Sequence, residues 1–127
     1  MKENKHILLV DDEEEIVDFM GNFLKRFRIS STKATSGEQA LELYDPKSTD
    51  YVFLDLHMTG IDGFNVLKRL KNLNPGVKVI IIAGSTDKDS MQKANELGAM
   101  DYITKPIDLS DFKKKIDKYI LETPERK

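Results

Sequence analysis

Short apolar runs alternate with amphipathic stretches along this chain. Ile7-Leu8-Leu9-Val10, Tyr51-Val52-Phe53-Leu54 and Val77-Lys78-Val79-Ile80-Ile81-Ile82 are apolar at nearly every position and rich in branched and aromatic side chains. Strands buried on both faces have this pattern. Met100-Asp101-Tyr102-Ile103-Thr104 is a further strand, and Ile29 to Ala34 a weaker one. Ser30, Ser31, Thr32 and Lys33 make that weaker run polar, which suits a sheet edge.

Between the runs the period changes to that of a helix. Ile16, Met20, Phe23, Leu24 and Phe27 form one apolar stripe; Phe64, Leu67, Leu70 and Leu73 form another. Ser36-Gly37-Glu38-Gln39 fits a capping box for a helix running to about Tyr44. Asn74-Pro75-Gly76 stops the helix before it. The next helix, with Asp87 as its cap and Gly98 at its end, carries only Met91, Ala94 and Leu97, and is expected to be the loosest. Asp108 caps a last helix bearing Leu109, Phe112, Ile116, Tyr119 and Ile120.

Five strands alternating with helices predict an α/β domain, a doubly wound parallel sheet with helices on both faces. The three most apolar strands belong in the centre and the polar second strand at an edge. The order 2-1-3-4-5 meets both demands and makes strands one and three neighbours at the switch point. The domain is expected over residues 6–121, with 1–5 a tail and 122–127 a tail or the start of a linker.

Composition narrows the function. The chain has 127 residues, 33% of them charged, and a net charge of −2. It therefore has no overall basic footprint for nucleic acid. It has no cysteine, which excludes disulfides and thiolate metal sites. No apolar run approaches the length of a membrane span, and the first residues lack the apolar stretch of a signal peptide. A cytoplasmic protein is expected.

The chemistry gathers at strand ends. The first strand runs into Asp11-Asp12, the third into Asp55, and the last into Lys105-Pro106. In the expected order the three carboxylates converge. Such crowding is relieved by protonation of one, or by a cation. Oxygen ligands suit Mg²⁺ or Mn²⁺. A carboxylate beside such a cation can attack a phosphoryl group, and Asp55, alone at the end of a buried strand, is the better nucleophile. Lys105 can neutralise the charge in transfer.

These residues, Leu9-Val10-Asp11-Asp12-Glu13, Leu54-Asp55 with Met58, Gly60, Asp62 and Gly63, Gly98-Ala99 before Asp101-Tyr102, and Lys105-Pro106, resemble the receiver domain of bacterial two-component response regulators. The resemblance covers residues 5 to 121 and implies a flavodoxin-like fold. It implies a signalling phosphoacceptor rather than an enzyme, taking phosphate onto Asp55 from a histidine kinase or phosphotransfer protein. Asp11, Asp12, Asp55 and the backbone carbonyl of His57 would hold Mg²⁺. Lys105 would pair with Asp55 and then with the phosphoryl group. Gly84 and Ser85 would form the loop beside it, and Lys105-Pro106 a cis peptide. Tyr102 would be an aromatic switch on an output face made by helix 4, strand 5 and helix 5, with a homodimer on phosphorylation as one output. Neither nucleic acid nor membrane is an expected partner of this chain.

Two positions depart from the family pattern. Ala83 stands where a Thr or Ser hydroxyl is usual, with Ser85 and Thr86 close behind it, and Thr59 replaces the usual proline after Met58. Ala83 favours an alternative, a degenerate receiver that binds its partner without phosphate. A phosphatase with an aspartyl nucleophile would want Asp-x-Asp after the first strand, where Asp11-Asp12-Glu13 stands. A flavin-binding module would want a phosphate loop there, which the acidic run from Asp11 to Glu15 would repel. Lys113, Lys114, Lys115 and Lys118 read as the solvated face of the last helix.

Overall fold

The computed structural model describes residues 5–58, 60, 62–84 and 88–121. Five parallel strands, β1 (His6–Val10), β2 (Ser30–Ala34), β3 (Tyr51–Asp55), β4 (Val79–Gly84) and β5 (Asp101–Lys105), form one sheet in the order β2-β1-β3-β4-β5. The helices are α1 (Glu14–Lys25), α2 (Gly37–Leu43), α3 (Gly63–Leu73), α4 (Lys88–Glu96) and α5 (Leu109–Lys115); α5 continues into a π-helical segment, Ile116–Leu121. The topology is the flavodoxin-like one expected, with the polar strand at one edge.

Alternation along the central strands divides the core into two layers. Leu8, Val10, Val52, Leu54, Val79 and Ile81 face the side of α2, α3 and α4. Ile7, Leu9, Phe53, Ile80 and Ile82 face α1 and α5. On that second side the Phe112 ring lies 5.4 Å from Phe23 and 5.5 Å from Phe53, joining α1, α5 and the sheet. At the edge, both His6 ring nitrogens lie 2.6 Å from a hydroxyl of β2, Ser30 Oγ and Thr32 Oγ1.

Several boundaries differ from the periodic reading. β4 starts at Val79 and runs on through Ala83 and Gly84, and β5 includes Lys105. The lysine is therefore held by strand pairing, opposite Gly84. The buried stripe of α3 is Val66, Leu67 and Leu70, which leaves Leu73 on the last turn 58% exposed. Leu109, first in α5, is also exposed, because burial begins only at Phe112. The stripe then runs Phe112, Ile116, Ile120, a spacing of four that the wider π turn keeps in line. The thin stripe of α4 is as expected: Ala94 is its one buried residue. Ser36 caps α2 through Gln39 N, but the Gln39 side chain returns to the amide of Thr35, one residue before the cap. Asp87, Ser85, Thr86, Thr59 and the tail from 122 lie outside the described residues. No helix among the described residues is long and apolar enough to cross a membrane.

Candidate functional site

The carboxyl ends of β1, β3 and β5 meet in one crevice. Asp11 follows β1 directly, and its amide donates to Ala34 O, so it is set by the sheet although it lies one residue beyond the strand. Asp55 ends β3 and pairs with Ile82. Both carboxylates are buried, whereas Asp12 is partly exposed.

Gly63 lets the loop after Asp55 close tightly. It begins α3 and donates to Leu56 O. A Cβ at this position would stand 2.5 Å from Leu56 Cα and 2.8 Å from Asp55 O. Asp62 completes the turn by accepting from Asn65 N at the start of α3. The backbone amide of His57 can then donate to Asp55 Oδ1, at 3.2 Å, while the His57 side chain is exposed.

Electrostatics dominate the crevice. Asp11, Asp12 and Asp55 each offer a carboxylate oxygen, and these oxygens lie within 4.8 Å of one another. Lys105 Nζ lies 3.1 Å from Asp11 Oδ2, 3.3 Å from Glu13 Oε1 and 3.4 Å from Asp55 Oδ2. Burial, reinforced by the Asp11 charge, pushes the Asp55 carboxyl up to about 6, against the opposing pull of the His57 amide and Lys105. Burial also acts on Lys105, disfavouring its charged form. Asp55, Asp11 and Glu13 outweigh that and raise the lysine above its ordinary value.

One atom bears directly on cation binding. Asp11 Oδ1 accepts from Glu13 N, but the buried Oδ2 accepts no hydrogen bond in aligned geometry. Its close neighbour is the Lys105 ammonium, in ion-pair contact. A buried carboxylate oxygen that accepts no aligned hydrogen bond is available to a hard cation in place of the ammonium, and the all-oxygen set of Asp11, Asp12 and Asp55 fits Mg²⁺ or Mn²⁺.

The remaining sequence candidates surround this centre. Ala83 is fully buried beside it on β4. Gly84 borders open space, since a Cβ there would meet nothing within 4 Å. The Lys105–Pro106 peptide is cis. Tyr102 lies farther back on β5, opposite Ile81; the residue is 46% exposed, and Lys115 Nζ lies 5.7 Å from its ring centroid. Periodicity assigned Glu13 only to the acidic start of α1. The structure brings its carboxylate to Lys105 as well, a link across 92 positions that local spacing does not signal.

The family model for the response regulator receiver domain matches residues 7–117. The chain is 32% identical to sporulation initiation phosphotransferase F of Bacillus subtilis, over 92% of this chain and 94% of that protein. It is 31% identical to the transcriptional regulatory protein ZraR of Escherichia coli over 95% of this chain, which spans only 27% of ZraR. In three dimensions it is similar to the receiver domain of NtrX from Brucella abortus, with a TM-score of 0.83 and 29% identity, covering 92% of this chain and 98% of that one.

Proposed function

The chain belongs to the response regulator receiver family, phosphoacceptor modules of two-component signalling, and from that premise we propose that Asp55 is the residue that accepts the phosphoryl group. The observation that carries the assignment is the meeting of Asp55 with Asp11, Asp12 and Lys105 at adjoining strand ends. Asp55 is the member at the tip of a strand buried along its whole length.

The division of labour follows from the geometry. Asp55 Oδ1 is engaged by the His57 amide, and Oδ2 faces Lys105. An Asp55 oxygen forms the new P–O bond as the donor's P–N bond breaks, and the leaving imidazole nitrogen keeps the bond pair. Lys105 stays within reach of the charge carried onto Asp55. Asp11, Asp12, Asp55 and the His57 carbonyl are the proposed ligands of Mg²⁺. When bound, that ion would offset the negative charge of the transferring phosphoryl group.

The proposed donor is a sensor histidine kinase or a phosphotransfer protein, and the proposed setting is the cytoplasm. We assign output to the face of α4, β5 and α5. There a groove of about 510 Å³, lined by Met91, Ala94, Ala99 and Met100, adjoins the exposed Tyr102 ring. On this reading the chain is a signalling acceptor rather than an enzyme with a separate substrate.

The test is incubation with phosphoramidate and Mg²⁺, followed by intact mass. One phosphoryl group should be gained by the parent and none by Asp55→Asn. Phosphate on Asp55→Asn would overturn the assignment.

A second reading, an interaction module that works without phosphate, is favoured by one feature, the buried methyl of Ala83. It requires Asp55→Asn to bind the output partner as well as the phosphorylated parent does.

A further inference from the structure

Glu13 is the N-cap residue of α1, yet its side chain makes no capping hydrogen bond. Acidic residues are favoured at helix starts because they accept from the free amides there. Glu14 and Glu15 already place negative charge in that first turn. The Glu13 carboxylate turns instead to the other side of the crevice, with Oε1 3.3 Å from Lys105 Nζ. Its backbone is fixed by the same centre, because Glu13 N donates to Asp11 Oδ1 at 3.0 Å. Glu13 is thus tied to the acidic site at both ends.

Stability gives little reason for this contact. The Glu13 side chain is 63% exposed, and exposed ion pairs contribute little. The reason is better sought in what Lys105 must do. Its ammonium is shared by Asp11, Glu13 and Asp55. A cation held by the aspartates takes over much of the negative charge of Asp11 and Asp55. Glu13 then remains as the carboxylate that still competes for the lysine, at the solvent side of the site.

We infer that Glu13 is a positioning residue that holds Lys105 at the mouth of the site and must release it before the lysine can serve a phosphoryl group on Asp55. Glu13 does not touch the reacting atoms. It acts through Lys105, and its own negative charge faces any incoming anionic donor. The inference rests on the proposed role of Asp55 and assigns a further residue to the same reaction.

The experiment compares the parent with Glu13→Gln, Glu13→Asp and Glu15→Gln. Phosphorylation by phosphoramidate with Mg²⁺ is followed as rate against donor concentration, at low and high salt. Glu13→Gln removes the hold and the charge; its rate at low donor concentration should rise about threefold at low salt, with the gain shrinking at high salt. Glu13→Asp keeps the charge but is one methylene shorter, so it should show part of that gain. Glu15→Gln removes one nearby charge that makes no contact with Lys105, and should change the rate least. Melting temperatures of all four should agree, because the contact is exposed.

If Glu13→Gln matches the parent, or matches Glu15→Gln, the inference fails. A Glu13→Asp variant equal to the parent also overturns it, since charge alone would then explain the effect. A parent that gains no phosphate overturns the proposed function and this inference together. A parent that gains phosphate at a rate indifferent to Glu13 overturns the inference alone.

Discussion

Lys105 Nζ lies closer to Asp11 Oδ2, at 3.1 Å, than to Asp55 Oδ2, at 3.4 Å. The lysine therefore stands where a cation is wanted, beside a buried carboxylate oxygen that accepts no aligned hydrogen bond. In the absence of metal it relieves the repulsion between two buried aspartates. A metal ion held by the aspartates would take over that duty.

Lys105→Ala should accordingly destabilise the metal-free protein, because two buried like charges lose their common partner. The loss is expected to be about 2 kcal/mol, discounted because Lys105 is a quarter exposed. Saturating Mg²⁺ should restore most of it, and the variant should bind Mg²⁺ more tightly than the parent. Thermal unfolding with and without Mg²⁺ measures both. A variant as stable as the parent without metal would show that the ion pair does not hold the site together. With phosphate accepted, the same variant should show smaller chemical-shift changes across β5, since alanine cannot link the phosphoryl group to that strand.

Gly63→Ala tests the turn behind Asp55. The new methyl would meet backbone atoms of Leu56 and Asp55 at 2.5 to 2.9 Å, and backbone cannot give way as a flexible side chain does. A loss of about 2 kcal/mol or more is expected, with weaker Mg²⁺ binding because the shift passes straight to Asp55. Denaturant unfolding and metal titration report the two effects. Full stability in this variant would mean that α3 is free to move away from the crevice.

The centre of the fold could be read from the chain because its central strands are apolar, and two of them, β1 and β3, run straight into a carboxylate. Ile7–Val10 before Asp11 and Tyr51–Leu54 before Asp55 carry a core assignment and a site assignment in the same few letters. The ends of elements were harder to read. Leu73 and Leu109 keep the helical period but fall on a last and a first turn, where the period no longer implies a neighbour. The π-helical Ile116–Leu121 segment has no compositional mark. Glu13 and Asp101 were read as members of local runs, whereas their partners, Lys105, Lys115 and Tyr119, are brought to them by the tertiary fold.

Asp101 gives a pH dependence of known sign. Its carboxylate lies 2.9 Å from Lys115 Nζ, and it accepts from Tyr119 OH and Tyr102 N, each at 2.7 Å. Burial works against the charged form, but these three donors outweigh it and hold the pKa below the ordinary aspartate value. A carboxylate lowered in the folded state contributes stability above its unfolded pKa, and loses it as pH falls through the folded one. Asp101→Asn should therefore cost about 1 kcal/mol at pH 7. The difference from the parent should shrink only below about pH 4. Melting curves of both proteins from pH 3 to 7 test this. A gap that closes well above pH 4 would mean that another group sets the dependence.

The final prediction concerns Ala83 and Tyr102. Ala83 is fully buried on β4 at the rim of the crevice, and Tyr102 stands on neighbouring β5 with its ring outward. The small methyl does not by itself draw that ring inward. A modification shifts an equilibrium only by its differential interaction with the two states. A hydroxyl at position 83 could donate to a phosphoryl group on Asp55, whereas a methyl cannot. One hydrogen bond to a charged group is worth roughly 1.5–3 kcal/mol, as large as a typical allosteric coupling of about 1–3 kcal/mol. Phosphorylation of the parent should therefore move Tyr102 weakly, and Ala83→Thr should strengthen the response. The added atoms enter a site packed in the core cluster that also contains Ala94, so Ala83→Ser, which adds only the hydroxyl, controls for crowding. Tyrosine fluorescence and ring NMR signals, before and after phosphorylation, compare the three proteins. A complete shift of Tyr102 in the parent, no larger in either variant, would refute the coupling argument and show that a donor other than residue 83 makes the contact.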